Sequence, residues 1–185
     1  MKNLFLISVI SVLFSCSINK NKTMEKKYFK FSTQYNQFYV EDVNGKKKNT
    51  DSSNFWNEKA FDERLALENG VLGIGTQSYG NIKGDIEILE KPNSDINYSN
   101  YDHIVEGGLI ISSGKLAILD CPNNEVELSL DIKPGKYKVR VYSSNLETVK
   151  ETDLVNSTDN DYYHIEIWPS ENMEQKVLKH YVKER

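Results

Sequence analysis

The chain has 185 residues, and its 27 acidic side chains outnumber 23 lysines and arginines for a formal net charge of −4. That balance is unsuited to holding nucleic acid, whose phosphates need a surplus of Lys and Arg. Eleven tyrosines, seven phenylalanines and two tryptophans supply enough apolar area to exclude a disordered body, and the length suits one domain with one core.

The chain begins with the short positive segment Met1-Lys2-Asn3, then runs from Leu4 to Phe14 with only Ser8 and Ser11 interrupting the apolar residues. This stretch fits a secretory signal and is shorter than the roughly 20 residues that cross a bilayer as a helix. Leu13-Phe14-Ser15-Cys16 follows and resembles the lipobox of bacterial lipoproteins, with Phe14 where a small or hydroxylated residue is usual. Residues 1–15 are therefore expected to be a cleaved signal peptide and Cys16 the lipidated first residue. The lipid would hold the body at the cell envelope, on the outer or the cell membrane, facing the aqueous side. Each buried acyl methylene contributes about 0.8 kcal/mol, so several chains anchor durably. Residues 16–27 read as a flexible tether, with Lys20, Lys22, Lys26 and Lys27 against Glu25. With Lys2 and this basic tether set aside, residues 28–185 carry −8. Such a body suits a basic protein partner, or simply stays soluble.

From Tyr28 onward, apolar residues alternate with polar ones and turn residues punctuate the chain, which is the pattern of an antiparallel β fold. Phe29, Phe31, Phe38 and Val40 mark the first strands, ended by Asn44-Gly45. Phe55 to Asn69 has helical spacing through Trp56, Ala60, Phe61, Leu65 and Leu67, and Asn69-Gly70 makes a stop, so one or two turns of helix are expected there. Gly73 and Gly75 lie in the next strand, where glycine marks close packing or a bulge rather than a nucleotide loop. Further strands are expected over residues 85–89, 103–111, 115–120, 125–132, 137–142 and 162–168. Ser112-Ser113-Gly114 and Lys133-Pro134-Gly135 read as tight hairpins between them. Residues 28–185 are thus expected to form a mainly β domain, a two-sheet sandwich or jelly roll with one short helix. The tail from Met173 is open to either a helix or a last strand.

Little of the sequence points to chemistry. His103, His164 and His180 are scattered without metal-ligand spacing and read as structural. Gly75-Thr76-Gln77-Ser78-Tyr79-Gly80 lacks the spacing of a nucleophile elbow. Asp85, Glu87, Asp102, Glu106, Glu125 and Glu127 read as acids on outer strand faces, so no enzyme activity and no cofactor or metal is expected. The run Asp153 to Asp161, with Asn156 and Asn160, invites a calcium reading but lacks EF-hand order and reads as a solvated loop. Cys121 has no partner once Cys16 is lipidated, and reads as a buried small residue.

Three segments together resemble the competence protein J family of nuclease inhibitors: Gln34 to Val40, Trp56 with the stretch through Ala66 to Val71, and Pro134-Gly135-Lys136-Tyr137. The resemblance covers about residues 30–170. It implies an all-β sandwich that binds and blocks a nuclease without performing chemistry, and an acidic body matches the basic groove of such a partner. The expected function is a non-catalytic, membrane-anchored binding lipoprotein. The other reading is a carbohydrate-binding or structural surface lipoprotein, for which Tyr79, Tyr98 and Tyr101 would be platform candidates.

Overall fold

The alternating apolar residues of two β-sheets face each other and form one core, as the computed structural model of residues 25–45, 48–50 and 53–182 shows. Cys16 and the expected signal peptide lie outside the described residues. The six-stranded sheet runs in the order β1 (Lys27–Ser32), β5 (Asn81–Ile88), β10 (Tyr162–Pro169), β9 (Gly135–Ser144), β6 (His103–Ile111), β11 (Lys176–Lys179). The five-stranded sheet runs β3 (Leu65–Glu68), β4 (Val71–Gly75), β2 (Gln37–Asp42), β7 (Lys115–Leu119), β8 (Val126–Asp131). The expected sandwich is present, with one correction: β5 and β10 pair in parallel, so the larger sheet is mixed.

Period-two alternation places Ile86, Ile165, Val141 and Val105 side by side on the inner face of the larger sheet. Phe38 and Val40 of β2 meet them from the other sheet. The rings of Phe29, Phe31 and Phe38 pack at centroid distances of 5.7–6.0 Å, at tilted and edge-on angles that favour aromatic pairs.

A second, smaller cluster lies on the outer face of the five-stranded sheet, where Phe55 and Ala60 cover Tyr39, Ala66, Val71 and Ala117. A side chain at Gly73 would place its Cβ 2.7 Å from the Trp56 ring and 2.9 Å from the Phe55 ring, so glycine here serves close packing, as expected.

Within the stretch of helical spacing, residues 55–69, one short helix forms, as expected, and the rest is strand and turn. Asn57 caps α1 (Glu58–Asp62), its side chain accepting from the Ala60 N–H, and Arg64 ends the turn in the left-handed region at φ 54°. Leu65 and Ala66 then begin β3 and are buried on opposite faces, Leu65 in the main core and Ala66 in the outer cluster.

The two expected hairpins are corners between sheets. Ser112 to Gly114 joins β6 in the larger sheet to β7 in the smaller one, and residues 132–134 return from β8 to β9. The first corner is captured by the buried Asp42 at the end of β2. Its carboxylate accepts from Ser112 N (2.7 Å), Ser112 Oγ (2.6 Å), Ser113 N (3.1 Å) and Ser113 Oγ. Burial pushes this carboxyl up, but those bonds outweigh it and hold it below the usual range. The tail resolves as the edge strand β11, paired with β6.

Candidate functional site

The outer face of the larger sheet carries a row of charged side chains in register: Glu87 beside Glu166, Glu166 beside Arg140, Arg140 beside Glu106. A parallel row sets Asp85 beside His164 and His164 beside Tyr142. Outward positions on a sheet would ordinarily be wet, yet Asp85, Arg140, Tyr142 and Glu166 are buried. Residues 93–101 help to cover them: Asn93 donates its amide to Glu166 Oε1 (3.2 Å) and accepts from Arg140 at its carbonyl (3.1 Å). Tyr101 lies over Tyr142 with ring centroids 4.6 Å apart, and the Arg140 guanidinium sits 4.8 Å from the Trp168 ring centre.

The bonds within the cluster satisfy its charges. Arg140 Nε donates to Glu106 at 2.6 Å and Arg140 Nη1 to the Tyr142 hydroxyl at 3.0 Å, while that hydroxyl donates to Glu166 at 2.5 Å. His164 holds Nδ1 2.6 Å from Asp85 Oδ1, and its Nε2 lies 3.6 Å from Glu166 Oε1. Tyr162 donates to the other oxygen of Asp85 at 2.6 Å. Lys26, ahead of β1, reaches Glu87 at 2.9 Å and Asp85 at 3.3 Å.

Burial by itself would lower the His164 pKa, but bonds to Asp85 and Glu166 outweigh it and raise it to about 9. Asp85 and Glu166 are correspondingly held below the usual carboxylate range, against the upward push of burial. His164 is therefore an imidazolium at neutral pH. Because its folded pKa exceeds the unfolded value near 6.5, its stabilisation is complete below that value and is lost as pH rises through about 9. We expect the urea midpoint of the chain to fall between pH 6.5 and 9 and that of His164→Gln to stay flatter. An imidazole NMR titration centred near 6.5 would refute the pairing of His164 with Asp85 and Glu166.

Asp85, Glu87 and His164 place donor atoms within 4.8 Å of one another, a spacing that could suit a metal. Two cations already neutralise those acids, the Lys26 ammonium and the His164 imidazolium, and a protonated imidazole has no lone pair to give. The arrangement is an ion-pair cluster that binds the strands together. Asp85 and Glu166 are therefore not the solvated outer-face acids that alternation suggested.

The other sequence candidates lie elsewhere. His103 is buried; its Nε2 is 3.0 Å from the Glu63 carbonyl and its Nδ1 accepts from the Tyr181 N–H at 3.2 Å. Burial lowers its pKa to about 4, so it stays neutral. His180 packs edge-on against it at 5.6 Å. Asp102 accepts from the Leu146 N–H, and Cys121 is a buried free thiol 3.1 Å from the Gln37 amide nitrogen. Of the three tyrosines suited to a sugar platform, Tyr98 is exposed, whereas Tyr79 is half-buried and Tyr101 gives a face to Tyr142. Glu125 and Glu127 stand exposed at β8, the edge of the smaller sheet, with Asp131. Burial, then Asp120 and Glu125, push the Glu127 carboxyl up, while Asp131 further along that edge pairs with Lys115.

No family model matches the sequence, and no curated protein matches it. Among solved structures, ComJ from Bacillus subtilis, an inhibitor of the DNA-degrading activity of NucA, superposes with a TM-score of 0.57 at 18% identity, over 82% of this chain and 99% of ComJ. The sandwich has a ComJ-like fold. The product of crocagin biosynthetic gene J superposes with a TM-score of 0.49 at 17% identity, over 79% of this chain and 99% of that one. The ComJ-like architecture agrees with the fold implied by the sequence segments from Gln34 to Tyr137.

Proposed function

We propose that the chain is a lipid-anchored inhibitor or immunity-type protein of the bacterial cell envelope, whose sandwich blocks a nuclease by tight binding. The observation that carries this reading is the superposition on nearly all of ComJ, itself an inhibitor of a DNA-degrading enzyme. The acidic body supports it, because negative charge complements the groove in which a nuclease holds phosphate and also speeds encounter. The β8 edge, with Glu125 and Glu127 exposed, is the surface we assign to that contact. The lipobox-like segment Leu13 to Cys16 is what supports the anchored half of this reading.

The immobilised chain should capture a basic DNA-degrading protein from the medium or envelope extract at low salt, and added chain should suppress DNA degradation by the eluted enzyme. Reversing two charges, Glu125→Lys with Glu127→Lys, should slow association by about tenfold. If captured proteins degrade DNA equally well with and without excess chain, the inhibitor reading fails. Mass spectrometry of the native product tests the anchor separately, through acyl groups on Cys16.

A further inference from the structure

The oxygen-rich run before β10, unlike an EF-hand in ligand order, is folded around a cavity of about 400 Å³. Asn156, Ser157, Asp159, Asn160 and Asp161 line it from the loop, and Lys83 of β5 lines it from the sheet. Asp161 is only 1% exposed. Its Oδ2 accepts from Ser78 N at 3.0 Å, Ser78 Oγ at 2.9 Å and the Tyr163 hydroxyl at 2.6 Å, so the carboxylate plane is fixed. Its Oδ1 is buried and has no hydrogen-bond partner among the described residues. Asp159 repeats the pattern: Oδ2 accepts from the Asn156 N–H at 3.3 Å, while Oδ1 is buried without a donor.

A buried carboxylate oxygen without a donor is costly, and native structures rarely leave two beside one cavity. A cation seated in the cavity that both residues line would satisfy such oxygens. Among the described residues the cavity wall contains no histidine or cysteine, which selects against zinc or copper in favour of a hard ion. Carboxylates, amides and a hydroxyl drawn from a loop suit calcium, which accepts irregular oxygen shells, better than magnesium, which demands a tight octahedron.

We propose that the loop between β9 and β10 binds one calcium ion between Asp159 and Asp161. Two positive groups face the same cavity. Lys83 donates to Asn160 Oδ1, and Lys30 stands directly across from Lys83 on β1. Their repulsion sets a weak affinity, with a dissociation constant of about 0.1–1 mM, the range of extracellular calcium modules.

Calorimetric titration of calcium chloride into the EDTA-treated chain, with melting temperatures at matched ionic strength, tests this. One site should be seen, together with a calcium-dependent rise in Tm. Asp159→Asn should bind at least tenfold more weakly while keeping the calcium-free Tm, since Asp159 makes only one long bond to the loop. Lys83→Met should bind more tightly, an effect that a merely structural Asp159 would not produce. The proposal is overturned by no heat and no Tm shift up to about 10 mM calcium, by unaltered affinity in Asp159→Asn, or by an equal shift with magnesium.

Discussion

Gly84→Val should leave little or no folded, soluble protein. Gly84 lies mid-β5, paired with Phe29 of β1 on one side and Tyr163 of β10 on the other. A Cβ there would fall 2.1 Å from the Tyr163 carbonyl oxygen and 2.4 Å from the Phe29 ring. Ordinary overpacking costs about 1–3 kcal/mol, because side chains can shift aside. Here one obstacle is backbone, and β10 cannot retreat without giving up its pairing with β5 or β9. Against a typical total of about 5–15 kcal/mol, we expect a loss of at least about 3 kcal/mol even for Gly84→Ala. Urea denaturation of the alanine variant measures it, and a change under about 0.5 kcal/mol would contradict the close approach of β5 and β10.

The second large effect is expected at Arg140. Its side chain is 8% exposed and bridges Glu106 at 13% and Glu166 at 4%. Arg140→Ala leaves two carboxylates facing each other under a cover of protein, a change that typically costs about 3–5 kcal/mol. Most of that penalty is the charge left behind rather than the worth of the bond. Adding Glu166→Gln to the alanine variant should therefore restore part of the stability, although Glu166→Gln by itself is destabilising. Urea midpoints of the two single variants and the double variant decide it, and simple additivity would show that the three side chains are not coupled.

Much of the fold is legible in the sequence because alternation is a local signal. Val139 and Val141, or Ile165 and Ile167, announce strands wherever those strands end up. Which sheet receives a strand is not local. Ser112-Ser113-Gly114 reverses the chain equally well within a sheet or between sheets, and the choice is made by Asp42, seventy residues earlier, holding the turn from the other layer. The helical spacing that continues past the short helix to Leu67 has a similar origin. Leu65 and Ala66 are both buried because β3 packs on two clusters, and adjacent buried residues next to Phe61 imitate helical spacing.

The charged cluster was present in the sequence only as separate outward residues. Asp85 and Glu87, His164 and Glu166, Arg140 and Tyr142 each alternate correctly on their own strands, and nothing local brings residues 85 and 164 together. The parallel pairing of β5 with β10 does so, and the cover over Arg140 and Glu166 changes them from solvated charges into buried ones. The loop ending at Asp161 is the converse case. Its composition was visible, but the buried, undonated oxygens arise only when Ser78 and Tyr163 fix the neighbouring one.

Lys26, gripped by Asp85 and Glu87, has a mechanical meaning if the proposed acyl anchor is set on Cys16. Ten peptide steps separate the two positions, which at full stretch span about 35 Å. The globule then hovers on a short leash, about one of its own widths from the lipid, with the β1 side leading. Under the proposed function, a nuclease bound to it would be held within that distance of the membrane.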